Sequence, residues 1–215
     1  MIRKLLLPAA FAAAALVSLP ARADMGVYTI DASHSSVSFK IRHFFSKVPG
    51  KFDKFSGTVR FDPNNWAASS VEVTIEAASI NTGNDGRDKH LRSEAFFDVV
   101  NHPLITFRSS KVEAVDATHL RVTGELMMRN ATKLVVLEVE YTGSGRGFSG
   151  VTLAGFTAKT KINRLDYGVA WNAAVEGSNI LGDDVEIELA LETDLEPPPA
   201  PATAPASVPA KKKKK

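Results

Sequence analysis

The chain has 215 residues, enough for one self-sufficient core with appendages and short of two full domains. It has no cysteine, which excludes disulfides and thiolate metal or redox sites. Its 26 basic and 24 acidic residues hide an asymmetry: Arg3, Lys4, Arg22 and Lys211 to Lys215 lie at the two ends, so 18 basic residues face 24 acidic ones between them, a net −6 that excludes the basic stripe of a nucleic-acid-binding domain.

Residues 1–23 read as a secretory signal. Arg3 and Lys4 supply the positive start, Leu5 to Leu19 the apolar stretch, and Ala21-Arg22-Ala23 the small-x-small site, so cleavage is expected after Ala23. The alternative is a membrane anchor, but Pro8 interrupts an apolar run shorter than the ~20 residues a bilayer span requires. No later segment is apolar enough to span, so the expectation is an exported, periplasmic protein without a transmembrane segment.

From there the dominant period is two. Val27 to Ile30 is a short first strand. Val37, Phe39 and Ile41 alternate with Ser36, Ser38, Lys40 and Arg42; Phe55, Gly57, Val59 and Phe61 alternate with Ser56, Thr58 and Arg60; Val71, Val73 and Ile75 alternate with Glu72, Thr74 and Glu76. Asp85 to Phe97 is the one stretch that reads as helical, a short lid or plug against the sheet. Leu104 to Ser110 is another strand. Leu120 to Met128, Val135 to Tyr141, Ala154 to Ile162 and Val185 to Leu191 then repeat the alternation. Each run puts one apolar face inward and one polar face to water, as half-buried antiparallel strands do. Turn signals stand at Val48-Pro49-Gly50, Asp62-Pro63-Asn64-Asn65, Thr142-Gly143-Ser144-Gly145 and Leu181-Gly182-Asp183-Asp184. Residues 197–215, rich in proline and alanine and ending in five lysines, are expected to stay disordered.

Eight or nine such strands make either a sandwich or a closed barrel. Strand lengths above the usual five or six residues, and glycines at the inward positions Gly57 and Gly124, favour the barrel. The expectation is an all-β, eight-stranded antiparallel barrel over residues 24–196 with one short helix and an elongated apolar cavity, wide enough for one small ligand. The competing expectation is a barrel filled by its own rings, Phe39, Phe55, Phe61, Phe107 and Phe156.

Several segments, in order, resemble the YceI-like family, the polyisoprenoid-binding proteins of the bacterial envelope. They are Tyr28 to Asp31, His34 to His43, Ser46 to Val48 with Lys51-Phe52, Ser70 to Ile75, Ser79 to Gly83, Arg87 to Ser93, Phe96 to Val99, His102-Pro103, Ile105 to Phe107, Gly155-Phe156, Ile162 to Arg164, Asp166 to Gly168 and Trp171-Asn172. The resemblance implies a lipocalin-like barrel, export to the periplasm and a long isoprenoid ligand such as a ubiquinone or polyprenyl phosphate. The chain departs from it at Arg129-Asn130-Ala131-Thr132-Lys133, where the family often shows Ile-His-Gly-Val-Thr-Lys, and in its proline, alanine and lysine tail.

On this reading the cavity wall is Val37, Phe39, Ile41, Phe55, Val59, Phe61, Val73, Ile75, Phe97, Phe107, Leu126, Met128, Phe156 and Trp171. Arg42, His43, Arg87, Asp88, His90 and Arg92 form a polar cluster suited to a head group at the mouth, with Arg42 and Arg92 as the candidates; the alternative is that Arg87 with Asp88 and Arg92 with Glu94 are ordinary surface ion pairs. Tyr167 and Trp171 are placed at one end of the barrel. No cofactor other than a bound isoprenoid lipid or quinone is implied. The oligomeric state stays open, with a homodimer among the options. Five histidines without HxH or HExxH spacing give no dedicated metal site. Ser149, in Gly147-Phe148-Ser149-Gly150, lacks the nucleophile elbow, so no catalytic residue is assigned. An envelope hydrolase and a wall-associated adhesive module anchored by the tail are the rival functions.

Overall fold

The computed structural model describes residues 25–172, 174–175 and 178–197. The expected signal segment and the tail past Pro197 lie outside the described residues. Alternation becomes strand throughout: β1 (Gly26–Ile30), β2 (Ser36–His43), β3 (Ser46–Phe52), β4 (Phe55–Phe61), β5 (Ser70–Glu76), β6 (Ile80–Asn81), β7 (Leu104–Ala114), β8 (His119–Met128), β9 (Ala131–Arg146), β10 (Thr152–Asn163), a small β11–β12 hairpin (Ala174–Val175 and Ser178–Asn179) and β13 (Leu181–Leu195). The one α-helix among the described residues is α1 (Asp85–Arg92).

The strands close into a ring in the order β1-β4-β5-β7-β8-β9-β10-β13, with β13 pairing back to β1, every pair antiparallel. A sandwich is therefore ruled out. The eleven segments of this sheet fill eight positions because three positions hold interrupted strands, and β11 and β12 pair only with each other. Ile30 pairs with Thr193, and after a turn at 31–35 the same course resumes with Ser36 against Ala190. β3 and β4 share the next position, and β5 and β6 the one after, where a 3-10 turn at Ala77–Ser79 bends the chain away.

These bends splay one end of the barrel, and α1 sits there. Asn84 caps it by accepting from the Arg87 backbone N–H at 2.9 Å, and Ser93 ends it, its N–H donating to the His90 carbonyl at 3.0 Å. The helix thus stops five residues earlier than the pattern suggests. Phe96 and Phe97 follow in turns that fold back under it.

Three of the four turn signals fall elsewhere than expected. Val48-Pro49-Gly50 lies inside β3; at Pro49 this strand has only β2 beside it, since β6 pairs with Lys51 and Phe52 alone, and such an edge tolerates a residue with no N–H. Thr142 to Gly145 lies inside β9, where the register slips opposite Gly155 and Phe156. Leu181 to Asp184 opens β13 with a similar irregularity. Asp62 to Asn65 is a turn, with the Asn64 N–H donating to the Asp62 carboxylate at 2.8 Å. The inward glycine Gly124 does what its position implies. A Cβ there would come within 2.5 Å of the Phe107 ring tip and 2.6 Å of the Arg108 carbonyl, so its absence lets that ring lie flat on the wall.

Candidate functional site

The barrel is hollow. A cavity of about 610 Å³ runs along its axis, within the range that encloses a drug-sized ligand. Its wall is almost wholly aliphatic and aromatic. Phe39, Ile75, Val135, Ile187 and Leu189 all line it and are only half-buried, because the surface they keep faces this internal space.

The rings of the filled-barrel alternative are disposed around the tube instead. One end is closed by Tyr28, Phe61, Trp66, Tyr141 and Phe156, whose neighbouring ring centroids lie 4.6 to 5.8 Å apart in tilted, stacked and edge-on pairs. Phe107 lies against Gly124, and Phe39 packs on Phe52 at 5.8 Å. The other end opens between the β2–β3 hairpin, α1 and the segment after β10, where the lining residues His43, Gly86, Arg87, His90 and Trp171 are all exposed.

Polar groups concentrate at this mouth, and most are already engaged. Arg164, only 3 % exposed, donates to the carbonyls of Gly182 (2.8 Å), Val169 (2.5 Å) and Trp171 (3.0 Å) and pairs with Asp183 at 3.1 Å. Burial pushes its pKa below the usual guanidinium value, against the opposing pull of Asp183. Arg164 therefore clamps the segment carrying Trp171 to the start of β13. Gly168 lets this segment turn, since its φ of 71° lies in the left-handed region. Arg87 donates to the Thr82 hydroxyl and carbonyl at 2.7 and 2.9 Å, and Thr82 in turn hydrogen-bonds the buried Asp88. Arg129, in the loop that departs from the family pattern, donates to the carbonyls of Phe96 and Gly168 at 2.7 and 2.8 Å, tying both sides of the mouth. His90 stands edge-on to Phe96 (4.9 Å) and Trp171 (5.0 Å).

Of the fourteen residues read from the sequence as cavity wall, the structure places thirteen on it. Phe55 is the exception; it packs between the two apolar clusters of the core. Trp171 is at the mouth, as one of its two expected placements had it. Tyr167 is buried in the core, and burial pushes its phenol up to about 12.

Neither head-group candidate reaches the cavity. Arg42 is on the outer face of β2, in a polar groove with Lys40, Lys47 and Asp183. Arg92 is spent on structure, donating to the carbonyls of Ala78 and Ile80 at 2.7 and 2.6 Å. Of the mouth cluster read from the sequence, His43, Arg87 and His90 do line the cavity; Arg164, which that reading missed, is the next inward member of the series Ala154 to Ile162. A charged residue continuing an apolar inward series was the available signal.

The fold gathers one histidine, His34, with Asp31 and Glu192, their ligand-type atoms within 4.8 Å of one another on the outer wall. Hydrogen bonds account for their arrangement. His34 and Ser33 hold the Asp31 carboxyl well below the usual carboxylate range, and Asp31 raises the imidazole pKa. Ser33 meets the same Nδ1 that Asp31 occupies, at 3.2 Å, whereas a hydrolase relay sets the hydroxyl on Nε2. None of these residues lines the cavity. No helix among the described residues is long and apolar enough to cross a membrane.

The family profile described as "YceI-like domain" matches residues 28–193. A UPF0312 protein of Vibrio cholerae is 36% identical over 159 residues, 73% of this chain and 84% of its own length. One of Staphylococcus aureus is 37% identical over 168 residues, 77% and 95% respectively. Among solved structures, BcnA of Burkholderia cenocepacia superposes with a TM-score of 0.69 at 27% identity, covering 76% of this chain and 98% of that one. The YceI protein of Campylobacter jejuni gives 0.64 at 31%, covering 71% and 88%. A domain of Saccharophagus degradans described as polyisoprenoid-binding shares the fold, with a TM-score of 0.57 at 18% identity over 79% of this chain and 98% of that one.

Proposed function

This chain belongs to the YceI-like family, and on that premise we propose that it holds a long isoprenoid lipid, of ubiquinone or polyprenyl phosphate type, inside its barrel and carries or buffers it in the bacterial periplasm without chemistry. The observation that carries the reading is the hollow, aliphatic, single-mouthed cavity. A hydrocarbon chain gains ~0.8 kcal/mol per buried CH₂, so three or four isoprene units contribute roughly 10 kcal/mol gross before ordering costs. That supplies affinity with few hydrogen bonds, which suits a mouth whose arginines are engaged by backbone carbonyls. The Saccharophagus domain described as polyisoprenoid-binding has the same fold and supports the ligand class. The signal-like residues 1–23 support export.

Trp171 at the mouth provides a readout. Adding long-tailed ubiquinone to delipidated protein is expected to quench tryptophan emission saturably, and a quinone with the same ring and no isoprenoid tail to bind at least about a hundredfold more weakly, the loss of roughly 2.7 kcal/mol of tail burial. Equal affinity for the two quinones, or no saturable quenching, would remove the tail-in-barrel reading.

A further inference from the structure

The β2–β3 hairpin beside the mouth has a tip that folding alone does not explain. His43 pairs with Ser46, leaving Phe44 and Phe45 as the two turn residues. Two-residue turns favour asparagine and glycine, because they require positive φ, and Phe44 sits at φ 50°. Phe44 is 38% exposed and Phe45 is fully exposed, its ring stacked only on Phe44 at 6.2 Å. Two large apolar side chains thus occupy a turn that disfavours them, in water, a local violation that points to use rather than to folding.

Their surroundings indicate the use. His43, which meets the Phe44 ring edge-on at 5.2 Å, lines the cavity, as does the part-exposed Trp171 across the opening. Leu165, 43% exposed, follows β10 at the same end. Arg42 reaches the tip, its Nη1 donating to the Phe44 carbonyl at 3.4 Å. Aromatic rings, a mouth tryptophan and a cation at their base form the composition that settles at a membrane–water interface.

We propose that the Phe44–Phe45 tip dips into a lipid bilayer and seats the cavity mouth on the membrane, so that an apolar ligand passes between bilayer and barrel without crossing water. The proposal rests on the lipid-binding reading above. A bilayer fits better than a protein partner because a two-residue tip presents far less than the ~800 Å² per side that a stable protein interface buries. The closed end supplies an internal control: Phe148, in the β9–β10 turn, is also fully exposed but stands at the end sealed by the aromatic plug.

The test compares three full-length proteins: wild type, the double variant Phe44→Asn with Phe45→Gly, and Phe148→Ser. The double variant installs the residues the turn prefers, so its fold is retained. Vesicles are zwitterionic phosphatidylcholine with brominated acyl chains, which keeps attraction of the lysine tail small and quenches tryptophan on contact. The double variant is expected to bind vesicles about tenfold or more weakly and to extract ubiquinone from them correspondingly more slowly. Its equilibrium affinity for ubiquinone dispersed in detergent is expected to match wild type, and Phe148→Ser to match wild type throughout.

Vesicle binding and extraction unchanged in the double variant overturn the proposal, as does an equal loss in Phe148→Ser. So does a double variant that changes from dimer to monomer in sedimentation while still binding vesicles, which would make the tip a contact between copies. Failure of all three proteins to bind ubiquinone in detergent sinks the carrier reading instead; with vesicle binding still lost only in the double variant, the docking tip stands.

Discussion

Arg164 is the residue whose removal the structure prices most clearly. Its guanidinium, 3 % exposed, satisfies the carbonyls of Gly182, Val169 and Trp171 and faces Asp183. Replacing Arg164 by Met keeps much of the volume and leaves three carbonyls without donors. An orphaned buried carbonyl costs about 1–3 kcal/mol, and water entering at the mouth brings this to the lower end, so the three together cost about 3–4 kcal/mol. The Asp183 pair adds under about 1 kcal/mol, since that carboxylate is half-exposed. Arg164→Met should therefore lower the unfolding free energy by about 3–5 kcal/mol, a large part of the 5–15 kcal/mol of an ordinary domain. Arg164→Lys keeps the charge but not the fork, and should lose about 2 kcal/mol. Urea unfolding followed by tryptophan emission measures both, with an unchanged slope showing that the denatured state is unaltered. Ligand affinity should fall as well, because the segment holding Trp171 loses its anchor. A loss below about 1 kcal/mol for Arg164→Met would refute the clamp.

Ile187→Trp places a bulky ring into the cavity from a half-buried wall position, and should weaken ubiquinone binding at least about tenfold in titration while changing stability by about 1–3 kcal/mol or less. Arg42→Ala should leave ligand affinity unchanged in the same titration, whereas Arg92→Ala should cost about 1–3 kcal/mol in urea melts by freeing the Ala78 and Ile80 carbonyls. Asp31→Asn should return the His34 pKa from its raised value toward 6.5, read by NMR titration of the imidazole. Because the folded pKa is the higher one, the His34 contribution to stability is complete below pH 6.5 and fades as pH rises through the raised value; the variant should lack that slope.

Much of this was legible because a half-buried antiparallel strand writes its geometry directly into residue alternation. Val37, Phe39 and Ile41, or Ala154 to Ile162, name their own inward faces, and eleven of the thirteen wall residues follow from that rule, Phe97 and Trp171 lying outside the strands. What failed were features decided at a distance. Val48-Pro49-Gly50 reads as a turn locally, yet the edge position of β3 lets it extend, and the turn forms at Phe44-Phe45 with no glycine or asparagine to mark it. Phe55 obeys the alternation but falls beside the interruption between β3 and β4, where the wall bends and its ring turns into the core. Arg42 stands out by its charge although its own strand assigns it outward, while Arg164, inward by the same rule, continues an apolar series and so reads locally as a strand end rather than a clamp. The Asp31–His34–Glu192 cluster needs a residue from β13 that only the closed ring supplies.

The central claim is that the hollow of the barrel is filled by an isoprenoid chain. Native mass spectrometry of the protein purified from bacterial envelopes without detergent, followed by organic extraction, tests it most directly. The account predicts a bound species of one lipid per chain, released on denaturation, whose mass falls in a series spaced by isoprene units. Protein recovered free of lipid, and still empty after incubation with ubiquinone or polyprenyl phosphate, would contradict it.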